Sequence, residues 1–290
     1  MTTTALTPFD LVTTYAQVLM PVDFSPLSWN LLPTARHMSE VFHAPLRLIH
    51  VDTGAGWRDP GHSQRIVHST PFGDVVELED VAEHDAASGI TRALGDDESS
   101  LLVMATHGHS GIAELALGGT AKAVLRNWSG PLLTGGPQFR IGAGPIRRIV
   151  LCVGPSATST TLVVEVGRWA QALKATVQIL SVTQPGSLGS FSRAHEESLR
   201  LQELTGLLPT APSAATVVRL HGGRAAHEIV DFADQVPGTL VALATRARPA
   251  GSQALLGSVA MTVLRNTISP VLLRRADVAT STDDVRATRT

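Results

Sequence analysis

Three apolar runs end in residues that suit a nucleoside phosphate. Within QVLMPVDFS at 17–25 the apolar run ends in Pro-Val-Asp, and the Asp23 carboxylate can accept hydrogen bonds from a ribose hydroxyl or an adenine amine. The run PLRLIHV at 45–51 ends in Val51, which can pack on a base. The run SLLVMAT at 100–106 leads through a loop to Gly118-Gly119-Thr120, which opens a helix. A helix N-terminus leaves backbone N–H groups unpaired and carries a partial positive charge, so it attracts phosphate. Glycine there lets the phosphate approach the backbone closely. A second set follows the same plan: Gly154, Val182 and Gly257-Ser258-Val259.

The two sets belong to a repeat. Residues 104–131 read MATHGHSGIAELALGGTAKAVLRNWSGP, and 243–270 read LATRARPAGSQALLGSVAMTVLRNTISP. Thr106 and Thr245, Gly118 and Gly257, Arg126 and Arg265, and Pro131 and Pro270 are each 139 apart. Over 117–131 against 256–270, eight of fifteen residues are identical. A repeat of this length sets the architecture and the candidate sites together.

The surrounding pattern supplies the scaffold. In the first half, strands are expected in the apolar run of 17–25 that ends in Pro-Val-Asp, at 45–51, at 100–106 and at about 131–134, with helices from Ser25 to Val41 and over 119–127. Ser25-Pro26 reads as a cap and first turn, and Leu27, Leu31, Leu32, Ala35 and Met38 give a helical stripe. In the second half, strands are expected at 147–154, 176–182, 216–220, 239–245 and 270–275. Helices are expected at 158–173, 193–205 and 225–235. Continuously apolar strands alternating with helices indicate an α/β fold with parallel sheets covered on both faces. Gly135–Pro145 is the linker, and the ends 1–14 and 276–290 are expected to be mobile. Segment 52–74 is expected to be a loop with at most a short strand at Arg65–His68, because it carries glycines and prolines where the second half has helix 193–205.

Composition narrows the function. At 290 residues there is room for two domains. A net charge of −2 gives no electrostatic footprint for nucleic acid. No apolar run reaches the length of a membrane span. MTTTALTPFD lacks the pattern of a secretory signal, and the single Cys152 in an apolar run reads as a core thiol in a reducing cytoplasm. The eleven histidines, including His62, His68, His84, His107 and His109, form no metal-ligand motif, so no metal site is expected. No nucleophile–base pair stands out: Ser110 beside His109 lacks a nucleophile elbow, and Lys122 lies inside a helix rather than in a phosphate-binding loop. No catalytic residue is therefore assigned. Arg224 and Arg246 are the cations nearest the second site, and solvated surface is the default for both.

These residues resemble the universal stress protein family. The match lies in Val-Asp-Phe-Ser at 22–25, Val-Met-Ala-Thr-His-Gly at 103–108, the Leu-Gly before each last helix and the Pro-Leu-Leu and Pro-Val-Leu-Leu endings. The resemblance covers roughly 16–136 and 146–275 and makes each a domain. It implies two Rossmann-like units, each a five-stranded parallel sheet of order 3-2-1-4-5, paired through their last strands as an intramolecular pseudo-dimer, with further homo-oligomers allowed. It implies an ATP-type adenine nucleotide, with Mg2+ able to accompany it, in some members, and no nucleotide in members that lack the motif.

The family motif, G-x-x-G, nine residues, then G-[S/T], is incomplete in both halves. The first reads Ala105-x-x-Gly108, then Gly118-Gly119-Thr120, and keeps Asp23. The second reads Ala244-x-x-Ala247, then Gly257-Ser258-Val259, and has Gly154 in place of the acid. By the resemblance, the nucleotide-binding residues are Pro21, Asp23, Val51, Met104, Ala105, Gly108, Gly118, Gly119, Thr120 and Ala121 in the first half. Their weaker counterparts are Val182, Ala247, Gly257, Ser258 and Val259. Each feature also has a structural reading: the glycines as tight packing, Asp23 as a cap for the helix after it. The expected function is a stress-response regulator that binds an adenine nucleotide mainly in the first half. The alternatives are an interaction module with degenerate sites, binding a protein through segment 52–74 or a sheet edge, and a slow ATP hydrolase.

Overall fold

Short apolar runs form the central strands, and polar side chains cap α1, α2 and α4. The structure, a computed structural model, describes residues 15–54, 61–95, 98–106, 117–141, 144–154, 159–183, 191–208, 215–245 and 256–275, with the side chains of 191–194 left aside. The first half runs β1 (Gln17–Pro21), α1 (Pro26–Phe42), β2 (Leu46–Asp52), β3 (Ser63–Ser69), β4 (Val75–Ala82), α2 (Ala86–Leu94), β5 (Ser100–Ala105), α3 (Gly119–Asn127) and β6 (Leu132–Gly135). The second runs β7 (Arg148–Val153), α4 (Thr160–Leu173), β8 (Thr176–Thr183), α5 (Phe191–Leu207), β9 (Thr216–His221), α6 (Ala225–Asp234), β10 (Thr239–Thr245), α7 (Ser258–Asn266) and β11 (Val271–Arg275).

All strands join one sheet of order β3-β4-β2-β1-β5-β6-β11-β10-β7-β8-β9. Leaving out β3, each half has the order 3-2-1-4-5 in its own strand numbering. Strands within each block are parallel, as in Val18↔Leu46 of β1 and β2 and Arg148↔Thr176 of β7 and β8. Strand alternation divides the core between two faces. Val18, Met20 and Leu151 pack with α1, α4 and α5 on one face. Leu19, Leu102 and Val150 pack with α2, α3, α6 and α7 on the other.

The helix starts follow local chemistry. Ser25 Oγ accepts from the Ser28 N–H at 3.2 Å, with Pro26 at the first helical position of α1. Asp85 accepts from the Ser88 N–H at 2.9 Å at the start of α2. These are the side-chain caps that free N–H groups require.

Segment 52–74 departs from the expected loop. Residues 55–60 lie outside the described residues, but β3 is a seven-residue strand and pairs antiparallel with β4 from Ser63↔Val81 to Ser69↔Val75. The turn between them closes with the Thr70 N–H donating to Asp74 O at 2.8 Å, and Gly73 takes φ 85°, a conformation open to glycine. The strands escape a search for apolar runs because they alternate. Ile66, His68, Val76 and Leu78 face inward, while Arg65 and Glu77 form an outer ion pair at 3.1 Å. The hairpin stands where the second half has α5. It covers the α1 face by placing the His68 ring 4.6 Å from Phe24 and 5.4 Å from Trp29, and Arg36 of α1 reaches Asp74 at 2.5 Å.

The halves meet in two ways. β6 and β11 pair antiparallel through Thr134↔Val271, Leu133↔Leu272 and Leu132↔Leu273. On the α1 face, the Phe42 ring lies 5.1 Å from Trp169 of α4. Buried Tyr15 donates its hydroxyl proton to Glu165 Oε1 at 2.6 Å and accepts from Trp169 Nε1 at 2.7 Å. Arg274 approaches Glu165 at 3.6 Å and also pairs with Glu98 of the first half. Cys152 in β7 is partly buried, and desolvation raises its thiol above the ordinary range.

Tyr15→Phe removes one hydroxyl and leaves Glu165 Oε1 and Trp169 Nε1 without that partner. Urea unfolding should show a loss of about 1–3 kcal/mol. Burial raises the Glu165 carboxyl above its ordinary 4.5, outweighing the Tyr15 hydrogen bond and the Arg274 charge. The folded protein then holds this proton at pH values where the unfolded chain has released it. Its contribution is full below the unfolded value and is lost as pH rises through the folded one. Wild type should therefore lose stability relative to Glu165→Gln as pH climbs from about 4 toward neutrality. Stability curves that stay parallel across that range would refute this.

Candidate functional site

The predicted first-half residues that the structure describes lie at or near the ends of three neighbouring strands and the start of α3. β1 lies between β2 and β5 in the sheet. Pro21 is the last residue of β1, and the next N–H, that of Val22, donates to Ile49 O at 2.7 Å. Asp23 follows. Its Oδ1 accepts from the Ser25 N–H at 3.1 Å and from Ser25 Oγ at 2.6 Å. Ser25 itself caps α1, so Asp23 supports the cap rather than forming it. Phe24 between them takes φ 63°, a left-handed backbone unusual outside glycine.

Val51 is the sixth residue of β2 and is partly buried. It faces α2, where a Cβ added to Gly89 would fall 2.7 Å from Val51 Cγ1. The absence of a side chain at 89 thus lets α2 rest directly on Val51. Met104 is only 6% exposed and packs in the α2/α3 core, whereas Ala105, ending β5, is partly buried against the opposite core. Gly108 lies outside the described residues.

Gly118 is the N-cap of α3 at φ −67° and has no side chain to cap with. Its N–H donates to Thr106 O at 2.7 Å, and its carbonyl accepts from the Lys122 N–H at 3.0 Å. Gly119 and Thr120 are the first two helical residues, both exposed, and a Cβ on Gly119 would touch nothing. Their backbone N–H groups belong to the first turn, which has no intrahelical acceptor. Ala121 is 3% exposed and turns into the core. Pro21, Asp23, Val51, Ala105, Gly118, Gly119 and Thr120 are therefore the predicted residues that keep some surface, while Met104 and Ala121 are buried in the core.

The second half repeats the frame without the acid. Gly257 caps α7 at φ −65°, Ser258 and Val259 are exposed at its first turn, and Val182 is partly buried in β8. Gly154 is exposed after β7, with nothing within 4 Å of an added Cβ. Ala247 and Arg246 lie outside the described residues, and Arg224 is exposed before α6. Beside Val182, Ser181 Oγ donates to Glu197 of α5 at 2.5 Å, a contact with no counterpart in a half that lacks this helix.

One cluster escaped the sequence reading. His50 Nδ1 lies 2.8 Å from Val22 O, and the His50 ring lies 4.5 Å from Phe24, which also stacks on His68. Three aromatic and imidazole rings thus brace the residues on either side of Asp23. The available signal was strand alternation, which turns His50 to the face opposite Val51. Of the other histidines singled out, His62 and His84 are exposed, and His107 and His109 lie outside the described residues. The rim offers a carboxylate acceptor, an apolar wall and backbone donors, which is the chemistry of binding.

Comparison with known proteins agrees with this frame. A family model described as the universal stress protein family matches residues 62–134 and 145–275. The universal stress protein Slr1230 of Synechocystis is 32% identical over 127 residues, a match spanning 42% of this chain and 42% of that protein. Among solved structures, a chain from Pseudomonas aeruginosa UCBPP-PA14 classed with the universal stress proteins has a TM-score of 0.62 at 18% identity, covering 92% of this chain and 95% of that one. A universal stress protein from Archaeoglobus fulgidus has a TM-score of 0.57 at 14% identity, covering 90% and 98%. At such identities the structures speak for the fold, and the family model speaks for kinship: this chain belongs to the universal stress protein family.

Proposed function

We propose that this protein is a stress-response regulator that holds an adenine nucleotide, chiefly in its first half, and that occupancy biases its shape or its partners. The observation that carries this reading is the contrast at the end of the first strand of each half. Asp23 stands there in one half, oriented by Ser25, and Gly154 stands bare in the other. In this reading Asp23 accepts from the nucleoside, Val51 packs on the base, and the N–H groups of Gly119 and Thr120 meet the phosphates. ATP with Mg2+ is the proposed form, the units are 16–136 and 146–275, and the setting is the cytoplasm.

A second reading, an interaction module, has one observation in its favour. The β3–β4 hairpin leaves Val67 74%, Phe72 46% and Val75 62% exposed around one turn.

Calorimetric titration with ATP separates the two. One ATP per chain is expected, and Asp23→Ala should weaken it about tenfold to a hundredfold, the worth of a charge-assisted hydrogen bond. Because Asp23 also supports the α1 cap, Gly119→Glu is the cleaner variant. It has room for a side chain, and a carboxylate there favours the helix but repels phosphate. ATP binding should vanish in Gly119→Glu with the urea midpoint unchanged, and Ser258→Ala should leave it intact. Gly154→Asp should in turn raise ATP binding in the second half, read as a stoichiometry approaching two per chain. A wild-type protein that takes up no ATP would favour the interaction module.

A further inference from the structure

The repeat also relates two clefts at the joint. In one, α4 of the second half lies over Ser99 and Pro131 of the first. In the other, α1 of the first half lies over Gly238 and Pro270 of the second. Ser99 and Pro131 precede Gly238 and Pro270 by 139 positions, the offset of the repeat, so the clefts are counterparts.

Their chemistry has diverged. The α4 cleft is lined by Glu98, Glu165, Arg168 and Arg274, and its charges face one another across the joint. The α1 cleft is a cavity of about 510 Å³ walled by Pro33, Phe139, Ile146, Pro237 and Pro270. That volume is in the range of small-molecule pockets, which are apolar with a few placed polar groups. The walls hold two polar groups left without a partner. His37 Nε2 is buried and has no hydrogen-bond partner among the described residues. Arg140 is exposed at the rim, makes no ion pair among the described residues, and is held in place by its backbone N–H to Ile268 O at 3.1 Å. Asp234 also lines the cavity, but its carboxylate already accepts from Thr267 Oγ1 at 2.7 Å, Ser269 Oγ at 2.9 Å and the Ile268 N–H at 3.1 Å. The acceptor sites of Asp234 are thus engaged within the protein, and Arg140 is the charged group of the lining whose side-chain donors no described residue takes up.

We propose that this cleft binds a small amphipathic organic acid, with its apolar body between the proline and Ile146 walls, its anionic head on Arg140 and a hydrogen-bonding group on His37. The cleft shares no residue with the nucleotide rim and lies on the face that carries α1 and the linker. A ligand here touches both halves and the segment joining them, which makes it a site for a signal other than the nucleotide.

The test uses the full chain and two fluorescent probes, anilinonaphthalene sulfonate and the uncharged phenylnaphthylamine. The sulfonate probe should bind saturably at one per chain and should not be displaced by excess ATP. Arg140→Gln should weaken the sulfonate about tenfold, the scale of one charge-assisted contact, and leave the uncharged probe unaffected. Thr34→Phe, which fills the cavity from α1, should abolish both. Arg140 is exposed, so its variant keeps the test decisive even if Thr34→Phe folds poorly. Unsaturable binding, displacement by ATP, or equal affinity of the sulfonate for wild type and Arg140→Gln would each overturn the proposal.

Discussion

The antiparallel pairing of β6 with β11 is the constraint on which the architecture rests. Each half ends in a short strand that would be an open edge alone, with unpaired backbone groups prone to unwanted pairing. Joining the two edges satisfies both and makes one continuous sheet. The joint then determines what else must be complementary. It brings α1 beside α4, so Phe42 meets Trp169, and it places Tyr15 where its hydroxyl can satisfy Glu165 and Trp169 together. Gly136, just past β6, answers the same constraint: a Cβ there would fall 1.6 Å from Leu264 O of α7.

The halves share a frame but differ where their ends are covered. The second half uses α5, whose Leu201 and Leu204, with Leu208 just after it, are buried in the core that β8 and α4 share. The first half uses a hairpin, and the aromatic contact of His68 with Phe24 and Trp29 does the same covering with fewer residues. This substitution reaches the candidate site. In the first half it produces a ring cluster bracing the backbone around Asp23; in the second it puts Glu197 on Ser181. Divergence of the two rims is thus tied to how each sheet edge is closed, as well as to the loss of an acid at Gly154.

Much of this was legible in the chain because it was local. Continuously apolar runs mark the parallel strands, and Ser25-Pro26 marks the start of α1. The matching Leu-Gly pairs mark the last helices, whose caps take nearly the same φ, −67° and −65°. The β3–β4 hairpin was not legible, since its inward residues are spaced by two and its outward ones mix Arg65 and Glu77 with Val67 and Val75. Neither was the stacking of His68 on Phe24, because cross-strand curvature brings together residues far apart in sequence. At the rim, Asp23 was legible as an acid at a strand end. Its bonding to Ser25, and the descent of Met104 and Ala121 into the core, depend on the turn of the chain and on packing.

The opposed halves also govern the long-range field. In a parallel α/β unit every helix runs against its strands, so its positive end lies at the carboxyl rim of the sheet. Among the described residues, α1 to α3 run one way and α4 to α7 the other, because β6 and β11 are antiparallel. Their backbone dipoles therefore largely cancel along the strand axis instead of adding. What remains is closer to a quadrupole, with positive helix ends at two diagonally opposite corners of one long sheet. On a molecule of net charge −2, those corners are where the backbone itself draws anions, and they face away from each other.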